Sequence, residues 1–342
     1  MIRLLLLSFL LVCTTTLMAQ SPQVEILNSG NKISLRGLSV PNDNVIWVSG
    51  NKGTVGRSTN AGKTWKWITV KGFEKADFRD IEAFDAASAV IMAVGADDPA
   101  YILKTIDGGD SWKVVYENKT KGMFLDAMEF WNERSGIVIG DPINGRFFIT
   151  RSFDGGNSWQ DIPYEKRPVA DSGEACFAAS GTNIRALDRD EAVFVTGGKR
   201  SRLFSRNDPL DLPIIQGKET TGANSIAIGD RYKSKGGKKM IVVGGDFNAD
   251  SSMEKNCFYT KDGGKTWHAP DNPPHGYRSC VEFLVNNHAF ACGLNGVDHS
   301  KDGGKNWTWI SKEGFHVCRA SKQGTAVYFA GGNGRIGKVT WK

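Results

Sequence analysis

Histidine and cysteine are sparse in this chain of 342 residues, at five and six. No CxxC or HxxxH spacing occurs, which argues against a structural zinc site. His268, His275, His288, His299 and His316 are too dispersed for a catalytic triad or a metal set, so each is read first as an ordinary surface histidine. There is no concentrated basic tract. The densest groups, Lys199-Arg200 with Arg202 and Arg206, and Lys233, Lys235, Lys238 and Lys239, fall in predicted loops, so nucleic acid is not an expected partner. Gly331-Gly332-Asn333-Gly334 joins two strands and opens no helix, so it fails the structural test of a dinucleotide fingerprint. No redox motif is present, and no cofactor or metal is expected.

Long hydrophobic runs are also missing. The one apolar stretch of note, Leu4 to Val12 after Arg3, is too short to span a bilayer and leads through Thr14-Thr15-Thr16 to Leu17-Met18-Ala19. That is the pattern of a secretory signal peptide over residues 1–19, with export to the periplasm or the medium. Val12 is bulky where a lipoprotein signal before Cys13 would have a small residue. Removing the segment takes away Arg3 and no acid, so the net charge falls from +6 to +5. Five cysteines then remain, Cys176, Cys257, Cys280, Cys292 and Cys318, and an odd count leaves at least one thiol free. Cys280 and Cys292 flank the turn at Asn286-Asn287 and are the one pair placed to form a disulfide.

What the chain has in quantity is glycine (40) and tryptophan (10), the composition of a turn-rich, all-β protein. Much of it belongs to a repeated box: Thr260 to Trp267, Thr105 to Trp112, Ser152 to Trp159 and Ser300 to Trp307, with a weaker copy at Ser58 to Trp65, where Asn60 replaces the acid. A hydroxyl, an acid two residues on, a glycine two further and a closing tryptophan make a self-contained turn. The carboxylate accepts turn N–H groups and glycine supplies positive φ. The acids are therefore read as structural, and each loop offers too few oxygens for calcium.

A second repeat, apolar strands ending in glycine, recurs at Gly50, Gly95, Gly140, Gly197, Gly244, Gly293 and Gly331, at intervals between 38 and 57 residues. That spacing brackets units of about four short strands, the length of a propeller blade, and runs apolar on both faces suit a strand sandwiched between blades. The seventh unit lacks one strand. Val24-Glu25-Ile26-Leu27 is the obvious donor, and its pairing would close the ring and remove open sheet edges. The expectation is a single all-β domain over residues 20–342, a seven-bladed β-propeller of four-stranded blades closed by an N-terminal strand and acting as a monomer.

In such a ring the boxes lie on one face, and the starts of the innermost strands surround the channel on the other. Counting back from each strand glycine gives Arg36, Arg79, Asp126, Asn183, Asn224 or Ser225, Arg278 and His316, every one polar. Three arginines converging on one axis would repel unless acids such as Asp80 or Asp126 paired with them or an anionic ligand arrived, and guanidinium suits a carboxylate or phosphate. The alternative is internal pairing in a wet channel. The link from Tyr164 to Ser180, carrying Glu174 and Cys176, is expected to fold over the channel mouth. Tyr277 precedes Arg278, so its phenol could meet Glu174 or Asp126 there, as in glycoside hydrolases that use a tyrosine nucleophile.

The boxes resemble the Asp-box (bacterial neuraminidase) repeat of sialidases, of some xyloglucan-cleaving glycosidases and of the photosystem II stability and assembly factor family. Seven short blades with arginines at the inner-strand starts look most like the last of these. Sialidases have six blades and an early Arg-Ile-Pro, where this chain has Arg36-Gly37-Leu38. The resemblance implies an exported, non-enzymatic propeller that binds a protein or an anionic ligand on its arginine-bearing face. The alternative it implies is a glycoside hydrolase acting on a glycan, with Tyr277 and Glu174 or Asp126 as its catalytic groups.

Overall fold

A computed structural model describes residues 21–95, 99–188, 190–206, 208–231 and 236–342. The expected signal peptide with Cys13, as well as Asn207, Lys233 and Lys235, lies outside the described residues. Seven antiparallel sheets follow one another along the chain. From the inside outwards, the first contains Leu35–Ser39, Ile46–Gly50, Thr54–Ser58 and Lys66–Thr69. The second contains Phe78–Ala83, Ala89–Ala93, Ala100–Thr105 and Lys113–Asn118. Leu125–Phe130, Gly136–Ile143, Arg146–Ser152 and Gln160–Asp161 form the third. The fourth is the shortest, with Ile184–Ala186, Ala192–Val195, Arg202–Phe204 and Leu210–Asp211.

Thr221–Ile228, Met240–Asp246 and Cys257–Thr260 build the fifth blade, with a bridge from Tyr259 to His268 in place of a full outer strand. Its sheet also takes in two short pieces, Glu174–Ala175 and Gly197–Gly198. The sixth blade has Cys280–Phe283, Ala289–Gly293, Gly296–Ser300 and Thr308–Ser311. The seventh has Val317–Ala320, Val327–Ala330 and Ile336–Trp341, completed by Pro22–Asn28 in antiparallel register with Val24 opposite Val339. The innermost strands of successive blades touch in a closed circuit, the seventh meeting the first. This is the seven-bladed propeller the two repeats imply, closed by its N-terminal strand.

The second strand of a blade is buried on both faces, as at Ile46–Gly50, Ala89–Ala93 and Ala289–Gly293. Its apolar run therefore feeds the packing between blades: Trp47 of the first, fully buried, joins Phe78, Ile81 and Ile91 of the second. Its final glycine is a packing requirement. A Cβ at Gly50 would stand 2.3 Å from the Ser34 carbonyl oxygen, and one at Gly140 2.4 Å from that of Phe124, so only a bare Cα lets the start of the inner strand approach this closely.

The Asp boxes behave as the pattern dictates. At Thr260 to Trp267, the Thr260 hydroxyl donates to Asp262 Oδ1 at 2.8 Å. The Thr266 N–H and hydroxyl donate to the same carboxylate at 3.0 and 2.6 Å, and Gly263 and Gly264 sit at φ 79° and 86°. In the weaker copy Asn60 Oδ1 accepts the Thr64 N–H at 2.9 Å while its amide donates to the Thr64 hydroxyl at 2.8 Å, so an amide replaces the acid by reversing one donor. Among the described residues no helix is long and apolar enough to cross a membrane.

Candidate functional site at the channel mouth

In four blades the innermost strand carries a bulge near its start. The register slips between Leu35 and Gly37, Phe78 and Asp80, Leu125 and Ala127, and Ala223 and Ser225. The residues left out of the ladder are Arg36, Arg79, Asp126 and Asn224. A bulge bends its strand and re-aims the extra side chain. Here all four side chains line one cavity of about 420 Å³ at the channel mouth, together with His316 and Tyr277.

The ring read from the sequence is brought together only in part. Arg36, Arg79, Asp126, Asn224 and His316 meet at the cavity, whereas Asn183 and Arg278 do not line it. Asn183 precedes a strand in regular register, its carbonyl accepting the Val195 N–H at 2.8 Å, and its side chain is fully buried. Arg278 is also fully buried. Its Nε donates to Asp298 Oδ2 at 2.6 Å, its Nη2 pairs with the same carboxylate, and its Nη1 reaches the Tyr277 carbonyl at 2.9 Å. Two arginines, not three, face the cavity, and the third is a structural ion pair. Asp298 and Asn295, both of the sixth blade, hold its guanidinium within that blade.

The long link does cover the mouth. Arg79 Nη1 donates to the Ala178 carbonyl at 3.3 Å and Arg36 Nη1 to that of Ala179 at 3.2 Å, while the Ser180 hydroxyl crosses to the Ser279 carbonyl at 2.8 Å. The Arg79 Nε is paired with Asp77 at 2.7 Å. Among the described residues Arg36 meets no carboxylate within ion-pair distance. Phe177 packs edge-on against Phe247 at 5.8 Å, and Phe247 and Leu294 leave the cavity with an apolar, exposed rim.

The tyrosine–acid pair is not formed. The buried Tyr277 hydroxyl donates to Asn224 Oδ1 at 2.8 Å, and burial raises its pKa. Glu174 turns away from the channel into a pocket where Arg202 Nε donates at 3.0 Å and the Thr196 hydroxyl at 2.5 Å. Asp126 does line the cavity, but Tyr277 spends its one proton on the asparagine amide. The disulfide between Cys280 and Cys292 is absent as well. The two stand directly opposite each other in adjacent strands, as the turn implies, yet both are free thiols.

The electrostatics of the mouth are set by burial. Burial and the neighbouring Asp141 carboxylate push the Asp126 carboxyl well above its ordinary range, while Arg79 and the nearby backbone N–H groups of Asp141 and Ala178, which fall short of good hydrogen-bond geometry, pull the other way. Burial raises Asp141 to about 6 although the Cys176 N–H donates to it at 3.0 Å. Burial and the charges of Arg36 and Arg79 lower His316 to about 3, so its ring is neutral at physiological pH, 3.2 Å from the Ser34 hydroxyl. Asp77 is shared between the two arginines, paired directly to Arg79 and acting on Arg36 only at a distance, so no carboxylate among the described residues pairs with Arg36.

Sequence reasoning missed Asp141 and the aromatic rim of Phe124, Phe177 and Phe247: Asp141 and Phe247 stand at or just past the ends of second strands, Phe177 lies in the long link, and Phe124 is two residues before the bulged Asp126. It also missed the other end of the channel, where Glu129 is held by Arg185, Arg231 and Arg319, and Arg185 reaches Glu282 at 3.0 Å. Of these paired charges, Glu129, Glu282, Arg231 and Arg319 line a second cavity, of about 350 Å³, at that end of the channel.

A seven-bladed propeller built on Asp boxes defines the class. Residues 258–269 match the BNR/Asp-box repeat family. No curated protein matches the chain in sequence. Among solved structures, YCF48 bound to D1 peptide is similar with a TM-score of 0.65 at 15% identity, over 95% of this chain and 98% of that one. YCF48 from Cyanidioschyzon merolae is similar with a TM-score of 0.66 at 15% identity, over 92% and 98%. The likeness establishes a shared fold.

Proposed function

We propose that this chain is an exported, non-enzymatic propeller that binds a carboxylate-bearing peptide segment of a protein partner at the channel mouth, in the manner of an assembly factor. The observation behind this reading is Arg36, aimed into the cavity by a bulge and answered there only by a backbone carbonyl. A guanidinium so placed is ready for a carboxylate. Asp126 lines the same cavity, and a carboxyl that burial biases toward its protonated form is one that can donate a hydrogen bond to an arriving carboxylate. The exposed Phe247 and Leu294 beside it favour a peptide with apolar side chains over a small inorganic anion. A propeller of the same fold has been solved with a peptide of D1 bound, and a peptide is the ligand we assign here.

The test is a photo-crosslink in living cells. A benzophenone side chain introduced at Phe247 is expected to trap a protein partner, and the adduct should disappear when Arg36→Ala and Arg79→Ala are combined with it. An adduct that survives both substitutions, or no adduct at Phe247 while a control position on the Asp-box face gives one, overturns the assignment.

A further inference from the structure

Away from the channel mouth, the first two strands of the sixth blade and the inner strand of the seventh gather three cysteines. Cys280 opens the strand Cys280–Phe283 and faces Cys292 in Ala289–Gly293, while Cys318 arrives from Val317–Ala320 of the next blade. All three are fully buried free thiols, their sulfurs lie within 4.8 Å of one another, and Cys280 Sγ is 3.6 Å from Cys318 Sγ. Three sulfurs each about 2.3 Å from a common ion stand about 4.0 Å apart, so small rotamer adjustments would close the set on one centre.

We propose that Cys280, Cys292 and Cys318 form a trigonal, all-sulfur site for a soft cation, with Cu(I) as the ion it fits. Sulfur-only donors select soft ions, and a structural zinc site completes a tetrahedron with a fourth sulfur, nitrogen or carboxylate ligand. The Thr182 hydroxyl stands 3.4 Å from Cys280 Sγ, and among the described residues the cluster holds three ligating residues. Supporting donors are in place, since the Cys318 N–H donates to Cys280 Sγ at 3.3 Å, the kind of outer contact that orients a thiolate ligand. Because the third ligand comes from the last blade, the site is complete only when the sixth and seventh blades pack. Loading is thereby coupled to the packing of these two blades.

The protein, unfolded and refolded without oxygen, is challenged with Cu(I) buffered by bicinchoninate, and with Zn(II) in parallel. A single Cu(I) per chain is expected, with three sulfur scatterers at about 2.3 Å in X-ray absorption and a raised melting temperature. Cys318→Ser and Cys292→Ser should each weaken retention more than about tenfold, whereas Cys176→Ser and Cys257→Ser should leave it unchanged. Near-ultraviolet circular dichroism verifies that each variant folds. Failure to hold Cu(I) against the chelator, equal retention by folded Cys318→Ser, preferential binding of Zn(II), or a disulfide within the trio in the exported protein each overturns the proposal.

Discussion

Arg36, Arg79 and Arg278 look alike in the sequence and differ in what surrounds them. Arg278 is sealed beside Asp298, so Arg278→Ala strands a buried carboxylate and is expected to cost about 3–5 kcal/mol in a urea titration. Arg36→Ala removes a side chain whose hydrogen bond runs to a backbone carbonyl, and the melting temperature should stay close to that of the parent while peptide affinity falls. Burial raises Asp141 to about 6, so it is protonated below that value and adds a negative charge beside the mouth above it. Affinity for a carboxylate ligand should accordingly fall as pH rises through about 6, and calorimetry across that range should show a flatter profile for Asp141→Asn. Counting back from the strand glycines led to Arg36, Arg79, Asp126 and Asn224, each the residue that a bulge leaves out of the ladder near the end of the second strand. It went astray at Asn183, which precedes a ladder in regular register, and at Arg278, whose capture by Asp298 is a contact between strands that leaves no local pattern.

Among the elements, the Asp box was legible in full. Its hydrogen bonds are local, so eight consecutive residues contain the whole determinant. The carboxylates of Asp107 and Asp262 are held well below the ordinary range, first by the Ser111 and Thr266 hydroxyls, and Asp154 and Asp302 are lowered against the cost of their burial. A depressed folded pKa contributes stability that is present above the unfolded value of about 3.9 and is lost as pH falls through the folded one. Melting temperature should therefore drop steeply below about pH 4. Asp262→Asn, which reproduces the arrangement at Asn60, should melt near the parent at pH 7 and lose less on acidification, and thermal scans at both pH values would check this. The Tyr277 partner was not legible, because it depends on how a bulge in another blade orients Asn224.

For the whole molecule, blade count and ring closure followed from the spacing of the strand glycines and from one strand missing at the end. Pro22–Asn28 supplies that strand, and Val24 packs on the cluster shared by the sixth, seventh and first blades. Deleting residues 22–28 should expose Ile336–Trp341 as an open edge, lowering the melting temperature and producing aggregates in light scattering. The fifth blade departs from the four-strand plan because Glu174–Ala175 and Gly197–Gly198 join its inner strand, an arrangement made by long-range pairing that leaves no local pattern.

The account rests on Arg36 and Arg79 holding a peptide carboxylate at the channel mouth. Calorimetric titration with a degenerate pool of decapeptides, one preparation ending in a free carboxylate and carrying acidic side chains, the other amidated and free of acids, tests it most directly. Binding of the acidic pool, absent for the neutral pool and weakened more than about tenfold in the Arg36→Ala, Arg79→Ala double variant, is the predicted result. Equal binding of both pools, or binding that the double variant retains in full, would contradict it.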